Sequence, residues 1–447
     1  MDRAHVERLT TAEQDRFVAA HPRSRELFER AQAVMPGGVP MSWMSKWPGA
    51  FPVFVDEATG AHFRDVDGHD YVDLCLGDTG AMTGHSPGPT VATVRDQVGR
   101  GITAMLPTED SVLVGEELTR RFGLPLWQFT LSATDANRFA IRLAREVTGR
   151  PRILVFNHCY HGTVDETVID LEHGRVVPRR GSVGAPVDPA LTTRAVEFND
   201  VEALERELGA GDVACVLAEP ALTNVGIVLP EPGYHERLRE ATRGAGTLLV
   251  IDETHTLCCG PGGYTAAEGL EPDMLTIGKP IAGGVPAAAY GFTGALAERI
   301  EASIELEDVD VGGVGGTLAA NALSLAAMRA TLGEVLTEAA FARMIPLAER
   351  WTAGVEAGIA ASGLPWHVTR LGCRAEYLFG PDRPRNGTEA HAAGDLALER
   401  YMHLHALNRG ILLTPFHNMA LMSPATTEEH VDRHTEVFRE AVLELVA

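Results

Sequence analysis

Lysine is almost absent from this chain of 447 residues. Only Lys46 and Lys279 carry a side-chain primary amine, and each of the other 36 basic residues is an arginine. Arginine can replace lysine as a solvated surface charge, but only a lysine amine can form an imine with an aldehyde. The two lysines that remain are therefore candidates for covalent chemistry.

Positive charge, cysteine and long apolar runs are also scarce. The 61 acidic residues outnumber the 38 basic ones, for a formal net charge of −23, which argues against a nucleic-acid or anionic-membrane partner. The six cysteines have no repeated spacing, so neither a disulfide framework nor a metal site is predicted. The longest uncharged stretches, 280–297 and 311–328, are rich in small residues and do not resemble membrane spans. The first 17 residues lack the apolar region of a signal peptide, so we expect a soluble, cytoplasmic protein.

Short apolar runs alternate with helical patterns through the middle of the chain, which is typical of a mostly parallel sheet with helices on both faces. The predicted strands are 127–131, 153–157, 213–219, 247–253, 274–278 and 287–293, and the clearest predicted helices are 133–148 and 201–208.

The two ends of the chain have different patterns. A short amphipathic helix is predicted at 24–34, followed by strands from Phe54, and the last helix is predicted to begin at Thr426 with Glu429 in a capping box. We therefore predict an α/β fold in three parts. These are an N-terminal segment (1–60) that packs with the small domain, a large domain (61–330), and a smaller α+β C-terminal domain (331–447).

Lys279 and Asp252 each follow a predicted buried strand. The carboxyl ends of parallel strands meet at the edge where open α/β sheets bind ligands, so the two side chains could face one crevice. A carboxylate for a pyridinium nitrogen and an amine for an aldehyde carbon together describe pyridoxal phosphate. The alternatives are a lysine that reaches solvent from a strand end and a plain Asp–Lys ion pair.

Three further strand ends carry candidate ligand-binding groups. Ser132-Ala133-Thr134 begin a predicted helix, where hydroxyls and free N–H groups suit a phosphate, although an ordinary serine cap is the alternative. Tyr160 could stack on a flat ring, and Glu219 is a strand-end acid. The glycine-rich run 312–316 also precedes a helix, but its spacing does not match a dinucleotide-binding loop.

Taken in order, these motifs resemble the class III, fold-type I pyridoxal-phosphate aminotransferases. The resemblance is closest to the glutamate-1-semialdehyde aminomutase-like branch, which includes β-amino-acid transaminases. It covers roughly residues 25–447 and includes MPGGV (35–39), DVDGHDYVDL (65–74), SATDAN (132–137), CYHG (159–162), IDE (251–253) and PDMLTIGKPIAGGVP (272–286). The resemblance implies a fold-type I transferase whose large domain binds pyridoxal 5'-phosphate.

The resemblance also implies roles for single residues. Lys279 would hold the cofactor covalently and move a proton, and Asp252 would keep the ring nitrogen protonated. Tyr160 would stack on one face of the ring, and Thr254 would lie under the other face, where the family usually has valine. Because Thr254 departs from the family and His255 follows it, we add the hypothesis that the Thr254 hydroxyl or the His255 imidazole hydrogen-bonds the ring phenolate.

The phosphate group would be bound by two segments. Ser132, Ala133 and Thr134 match the family's phosphate loop, although Ala133 and Asp135 replace its usual glycine and glutamate. Gly316 and Thr317 resemble the segment that reaches the phosphate from a second subunit. The resemblance therefore implies a homodimer with active sites at the interface.

The substrate region lacks the arginine that related enzymes often use to bind a carboxylate. Segments 39–44 and 414–418 contain none, and Met41, Trp43 and Phe416 predict an apolar, aromatic pocket. This favours a bulky amine or amino acid as donor and a keto acid or ketone as acceptor.

We therefore predict an aminotransferase with a ping-pong mechanism, and the alternative is an aminomutase that shifts the amine within one substrate. A nucleotide-dependent oxidoreductase that uses the 312–316 loop and a non-catalytic scaffold with the same fold are hypotheses from other classes.

Overall fold

The computed structural model describes residues 2–184, 187–303 and 312–447. The chain forms two compact units. The terminal unit consists of Met1–Pro87, Ala339–Arg383 and Ala393–Ala447, and the central unit consists of Gly88–Glu338 and Pro384–Ala392.

The first half of the chain contains α1 and α2, a three-stranded antiparallel ribbon, and the beginning of the central unit. The helices are α1 (Arg3–Ala20), α2 (Pro22–Ala31), α3 (Gly88–Arg100), α4 (Glu109–Phe122), α5 (Ala133–Thr148) and α6 (Val201–Leu208). The strands are β1 (Val55–Thr59), β2 (His62–Asp65), β3 (Asp70–Asp73), β4 (Leu126–Thr130), β5 (Arg152–Phe156), β6 (Ile169–Glu172), β7 (Arg175–Pro178), β8 (Thr193–Val196) and β9 (Val213–Ala218).

The second half completes both units. The helices are α7 (Tyr234–Ala245), α8 (Gly263–Glu268), α9 (Gly294–Ser303), α10 (Ala322–Ala330), α11 (Glu338–Ser362), α12 (Gly387–Ala392), α13 (Leu396–Leu407) and α14 (Glu428–Val446). The strands are β10 (Leu248–Asp252), β11 (Met274–Ile277), β12 (Ala288–Phe292), β13 (His367–Leu371), β14 (Arg374–Leu378), β15 (Ile411–Leu412) and β16 (Met419–Leu421).

The central unit is built on a seven-stranded sheet with the order β4-β12-β11-β10-β9-β5-β8. Strands β8, β5, β9, β10 and β11 run parallel, and β12 is antiparallel to both of its neighbours. All residues of β9 to β12 are buried, which explains why these strands read as continuous apolar runs. The predicted α/β class with a mostly parallel sheet is confirmed; β8, at the edge, was not among the predicted strands.

Helix α5 covers the predicted range 133–148, and its local sequence explains both ends. The Ser132 side chain accepts a hydrogen bond from the Asp135 amide at 3.2 Å, and Gly149 ends the helix in the left-handed conformation with φ 65°. The apolar face of α5 packs into the core that surrounds the sheet, through Phe139, Ile141 and Leu143.

The terminal unit contains two small sheets, with the orders β1-β2-β3-β15 and β13-β14-β16. Because β3 pairs with β15, residues 61–87 group with the C-terminal part of the chain rather than with residues 88–338. The division of the chain thus differs from the predicted boundaries at residues 60 and 330.

The predicted capping box of the last helix is wrong. Thr427, not Thr426, is the N-cap of α14, and His430 rather than Glu429 completes the box. The Thr426 hydroxyl is occupied elsewhere, because it accepts a hydrogen bond from the Ser423 amide at 2.9 Å. Across the described residues, none of the helices combines the length and apolar character needed to cross a bilayer.

Candidate active site

Lys279 lies just beyond β11, at the start of the 3-10 turn Lys279–Ala282. Its φ of +39° is in the left-handed region, which is strained for a residue with a Cβ. The preceding residue, Gly278, packs against the first turn of α5: an added Cβ would lie 3.0 Å from the Ala133 Cβ and 3.2 Å from its amide nitrogen. The predicted phosphate segment and the lysine are therefore neighbours in space.

Asp252 is the last residue of β10 and is 3% exposed. Its Oδ2 accepts hydrogen bonds from His161 Nδ1 at 2.9 Å and Asn137 Nδ2 at 2.8 Å, and its Oδ1 accepts one from the Thr254 amide at 3.0 Å. Among the described residues, no ion pair joins Lys279 to a carboxylate. The alternative of a plain Asp252–Lys279 ion pair is therefore not what the structure contains.

The hydrogen bonds to Asp252 set its charge. Burial by itself raises the pKa of this carboxyl, but the hydrogen bond and positive charge of His161, with the Thr254 and Asn137 bonds, lower the pKa further than burial raises it. Burial lowers the pKa of His161, but the neighbouring Cys159 and the bond to Asp252 raise it above the ordinary value of 6.5. At the end of β9, burial raises the pKa of Glu219. Asp252, at the carboxyl end of β10, therefore stays negatively charged.

Asn137 is a site residue that the sequence interpretation missed. It is fully buried, its amide nitrogen donates to Asp252, and its Oδ1 accepts a hydrogen bond from Thr276 Oγ1 at 2.7 Å. One side chain thus ties α5 to β10 and β11. His161 was also missed as an Asp252 partner. Asn137 lies within the motif SATDAN and His161 within CYHG. For Asn137 the available signal was a polar residue on the otherwise apolar face of a predicted helix.

Two other predicted site residues lie beside the Lys279 amine. Its Nζ lies 2.8 Å from His255 Nε2 and 5.9 Å from the centroid of the Tyr160 ring. The structure therefore places His255 against the lysine amine; its predicted bond to a ring phenolate stays a prediction.

The loop that carries Tyr160 is held on two sides. Glu219 Oε1 accepts a hydrogen bond from the Tyr160 amide at 3.4 Å, and Thr163 donates its amide to Thr134 Oγ1 at 3.2 Å. Gly162, with φ 75°, is needed for this approach, because an added Cβ would lie 2.1 Å from Thr134 Oγ1. The loop therefore lies against the first turn of α5.

The groups gathered at this edge fit pyridoxal phosphate. The amine of Lys279, the buried carboxylate of Asp252 and the ring of Tyr160 match an aldehyde, a pyridinium nitrogen and an aromatic face. The amino end of α5 offers backbone N–H groups to an anion. Thr254 is buried two residues after Asp252, and its predicted place under the ring stays a prediction.

The remaining predicted residues belong to other segments of the chain. Met41, Trp43 and Phe416 belong to the terminal unit, where the Trp43 amide donates to Met41 Sδ at 3.2 Å and the Trp43 ring meets Phe416 edge-on at 5.9 Å. Gly316 and Thr317 are exposed in the central unit. Their roles toward substrate and phosphate stay predictions.

The chain resembles known proteins over nearly its whole length. Residues 43–442 match the family model described as aminotransferase class-III. A glutamate-1-semialdehyde 2,1-aminomutase of Anaeromyxobacter dehalogenans is 32% identical over 429 residues, which cover 94% of this chain and 98% of that protein.

Two solved structures are similar in fold and sequence. A glutamate-1-semialdehyde-aminomutase of Pseudomonas aeruginosa PAO1, crystallised as a lysine-to-alanine variant in complex with PMP, is 52% identical with a TM-score of 0.98 and covers 100% of this chain and 99% of its own. An omega-transaminase from Sphaerobacter thermophilus is 29% identical with a TM-score of 0.86, covering 94% of this chain and 97% of its own. This chain belongs to the class-III aminotransferase family of pyridoxal-phosphate enzymes.

Proposed function

We propose that this chain moves amino groups with pyridoxal phosphate attached to Lys279. The observation that carries the proposal is that an amine and a buried, ionised carboxylate lie at the same edge of the sheet. Lys279 follows β11 and Asp252 ends β10, and these strands are parallel neighbours in which Asp252 pairs with Thr276.

The bound cofactor supplies a conjugated ring that accepts the electron pair released at the carbon next to the amine. The negative charge of Asp252, held by His161 and Asn137, would stabilise positive charge on the ring nitrogen. Tyr160 would pack on the ring. The amine of Lys279 holds the proton that moves to or from the substrate carbon.

Serine and threonine at the start of α5 bind the phosphate in this proposal. Because the Ser132 hydroxyl donates to Asp135 Oδ2 at 3.0 Å, we expect the backbone N–H groups of Ala133 and Thr134 to supply part of the phosphate binding. Glu219 fixes the loop of Tyr160 through the Tyr160 amide, which makes it a positioning residue.

Within this chemistry, the relatives favour an aminomutase. The Anaeromyxobacter and Pseudomonas proteins are both named for moving the amine within glutamate-1-semialdehyde. We propose that this chain likewise completes both half-reactions on one substrate, returning the amine to a neighbouring carbon.

A specific observation supports a second candidate, an aminotransferase with a hydrophobic donor. Trp43 and Phe416 form an edge-on aromatic pair, and segments 39–44 and 414–418 contain no arginine to bind a carboxylate. The omega-transaminase from S. thermophilus belongs to the same family.

Single-substrate incubations separate the two candidates. An aminomutase converts glutamate-1-semialdehyde alone into the isomer with its amine on carbon 1, turnover after turnover. An aminotransferase stops after one equivalent of a single amine, releases its ketone or aldehyde, and resumes only when a carbonyl acceptor is added. Loss of both reactions in Lys279→Ala is the control, and turnover by that variant would contradict the proposed function.

We also propose that two copies of the chain associate through the central unit. Gly316 and Thr317 lie in an exposed segment, and the nearby segment 102–106 exposes Ile102, Met105 and Leu106 by 44%, 71% and 72%. The Ala322 amide donates to Ile102 O at 2.9 Å, so the start of α10, five residues after Thr317, lies against segment 102–106. Light scattering tests this: a dimer is expected, and Leu106→Asp should yield monomers. A wild-type monomer would contradict the proposal.

A further inference from the structure

The imidazole of His255 lies directly against the amine of Lys279. Nε2 of His255 is 2.8 Å from Nζ of Lys279, and His255 is 9% exposed. A lysine ammonium offers only donors, whereas an imidazole nitrogen can accept a hydrogen bond and then a proton. The contact therefore joins a proton donor with a group that is able to take its proton.

The backbone on both sides of this contact is fixed. Lys279 is held with φ +39° between Gly278, which packs on α5, and Pro280. His255 is the N-cap of the 3-10 turn Thr256–Cys259. Two residues before His255, the buried carboxylate of Glu253 accepts hydrogen bonds from Thr256 Oγ1 at 2.5 Å and from the Tyr264 amide at 3.1 Å. The short distance between the two side chains thus has structural support from both strand ends.

The other titratable groups around the pair have partners of their own. Asp252 is bonded to His161, Glu253 to Thr256, and Glu219 to Thr223, while the Tyr160 ring lies 5.9 Å from Nζ. None of these three carboxylates forms an ion pair with Lys279 among the described residues. His255 is accordingly the group best placed to exchange a proton with the lysine.

We propose that His255 orients the Lys279 amine and accepts its proton; this inference rests on the proposed function of Lys279. One N–H bond of the ammonium breaks, its electron pair stays on Nζ, and the proton bonds to Nε2 of His255. The pair keeps a single positive charge throughout. The neutral amine then has the free electron pair that attack on an aldehyde carbon requires.

The test measures how fast the full-length chain, stripped of cofactor, captures added pyridoxal phosphate as the pH is varied. His255→Gln keeps a hydrogen-bonding group but cannot take up a proton, and His255→Leu removes both properties. His235→Asn is the control, because His235 is a half-buried imidazole of the central unit that hydrogen-bonds to Pro220 O at 2.9 Å.

Both His255 variants should capture the cofactor at least about 10-fold more slowly than wild type near neutral pH. At alkaline pH, where hydroxide can take the proton in place of His255, the rates of wild type and variants should converge. This convergence also shows that the variants are folded. His235→Asn should follow wild type at every pH. A constant factor between wild type and variants at all pH values would indicate a purely structural contact and overturn the proposal, and so would unchanged rates.

Borohydride reduction and peptide mapping of the same samples separate this inference from the proposed function. Because Lys46 is the other lysine of the chain, the site of attachment can be assigned without ambiguity. Attachment at Lys46 in wild type would overturn both proposals. Attachment at Lys279 with a pH profile that does not depend on His255 would overturn the role of His255 alone.

Discussion

The two lysines lie in contrasting surroundings. Lys279, in the central unit, is half-buried, has a left-handed backbone and contacts His255 at 2.8 Å. Lys46, in the terminal unit, is exposed, and its Nζ lies 5.7 Å from the centroid of the Phe416 ring. An exposed cation–π contact contributes only about 0.5–1 kcal/mol and leaves the amine in water. Scarcity in the sequence marks both lysines equally, whereas the structure distinguishes them: Lys279 is half-buried against an imidazole, and Lys46 is exposed beside an aromatic ring.

Exchanging each lysine for alanine is the strongest test of this contrast. Lys279→Ala should abolish covalent attachment of the cofactor and reduce turnover to background, because the other lysine of the chain, Lys46, belongs to the terminal unit. Lys46→Ala should retain full attachment. Borohydride reduction followed by peptide mass spectrometry measures both, and a Lys279→Ala protein that still traps the cofactor covalently would contradict the assignment.

Removing the negative charge of Asp252 should have the next largest effect. Asp252→Asn replaces a buried charge with a neutral amide, and we expect kcat/KM to fall by about 100-fold or more because the ring nitrogen loses its counter-charge. Asp273→Asn is a matched control, since that carboxylate pairs with Arg239 at 2.7 Å. If steady-state kinetics showed similar losses for both variants, general destabilisation would explain the result instead.

Changes around Lys46 should affect substrate choice and leave cofactor attachment intact. Phe416→Ala removes the ring that contacts both Trp43 and Lys46, and we expect about a 10-fold loss in kcat/KM for aromatic donors with a smaller loss for short aliphatic ones. Phe416→Leu should recover part of the difference. Equal losses for every donor would argue against a role in specificity.

The smallest expected effect concerns the pH dependence of stability. The pKa of His161 is raised above 6.5 in the folded chain, so its interaction with Asp252 stabilises the fold fully below that pH and is lost as pH rises through the raised pKa. The Tm of the cofactor-free wild type should therefore exceed that of His161→Gln by a few degrees at about pH 6, and by less at about pH 9. A difference that grows with pH would show the opposite linkage.

The sequence predicted the parts of the fold that are buried on both faces. Strands β9 to β12 are wholly apolar or nearly so, and their position was evident from composition alone. Helix α1 escaped prediction because its charged and apolar residues are intermixed and give no clear apolar face, and the short edge strand β8 includes Arg194. The capping box was misplaced by one residue because Thr426 and Thr427 are adjacent threonines, and only the bond to Ser423 distinguishes them.

The sequence likewise indicated some of the candidate site residues and missed others. Lys279 and Asp252 were evident because a charged residue that ends an apolar strand is conspicuous. Asn137 and His161 were not, since each acquires its importance from a contact with a residue far away in sequence. The predicted domain boundary at residue 60 differs from the structure for a related reason: the pairing of β3 with β15 is a long-range contact.

The sequence by itself determined which chemical groups are available: the amine of Lys279, the carboxylates of Asp252 and Glu219 at the ends of apolar strands, and a helix start that can bind an anion. Only the tertiary structure decided their partners. Asn137 and Asp252 are 115 positions apart, His161 and Asp252 are 91 apart, and His255 and Lys279 are 24 apart, yet each pair is joined by a hydrogen bond of 2.8–2.9 Å. Hydrogen bonding acts over about 3 Å, so charge and proton location at this site depend on packing that no local pattern specifies.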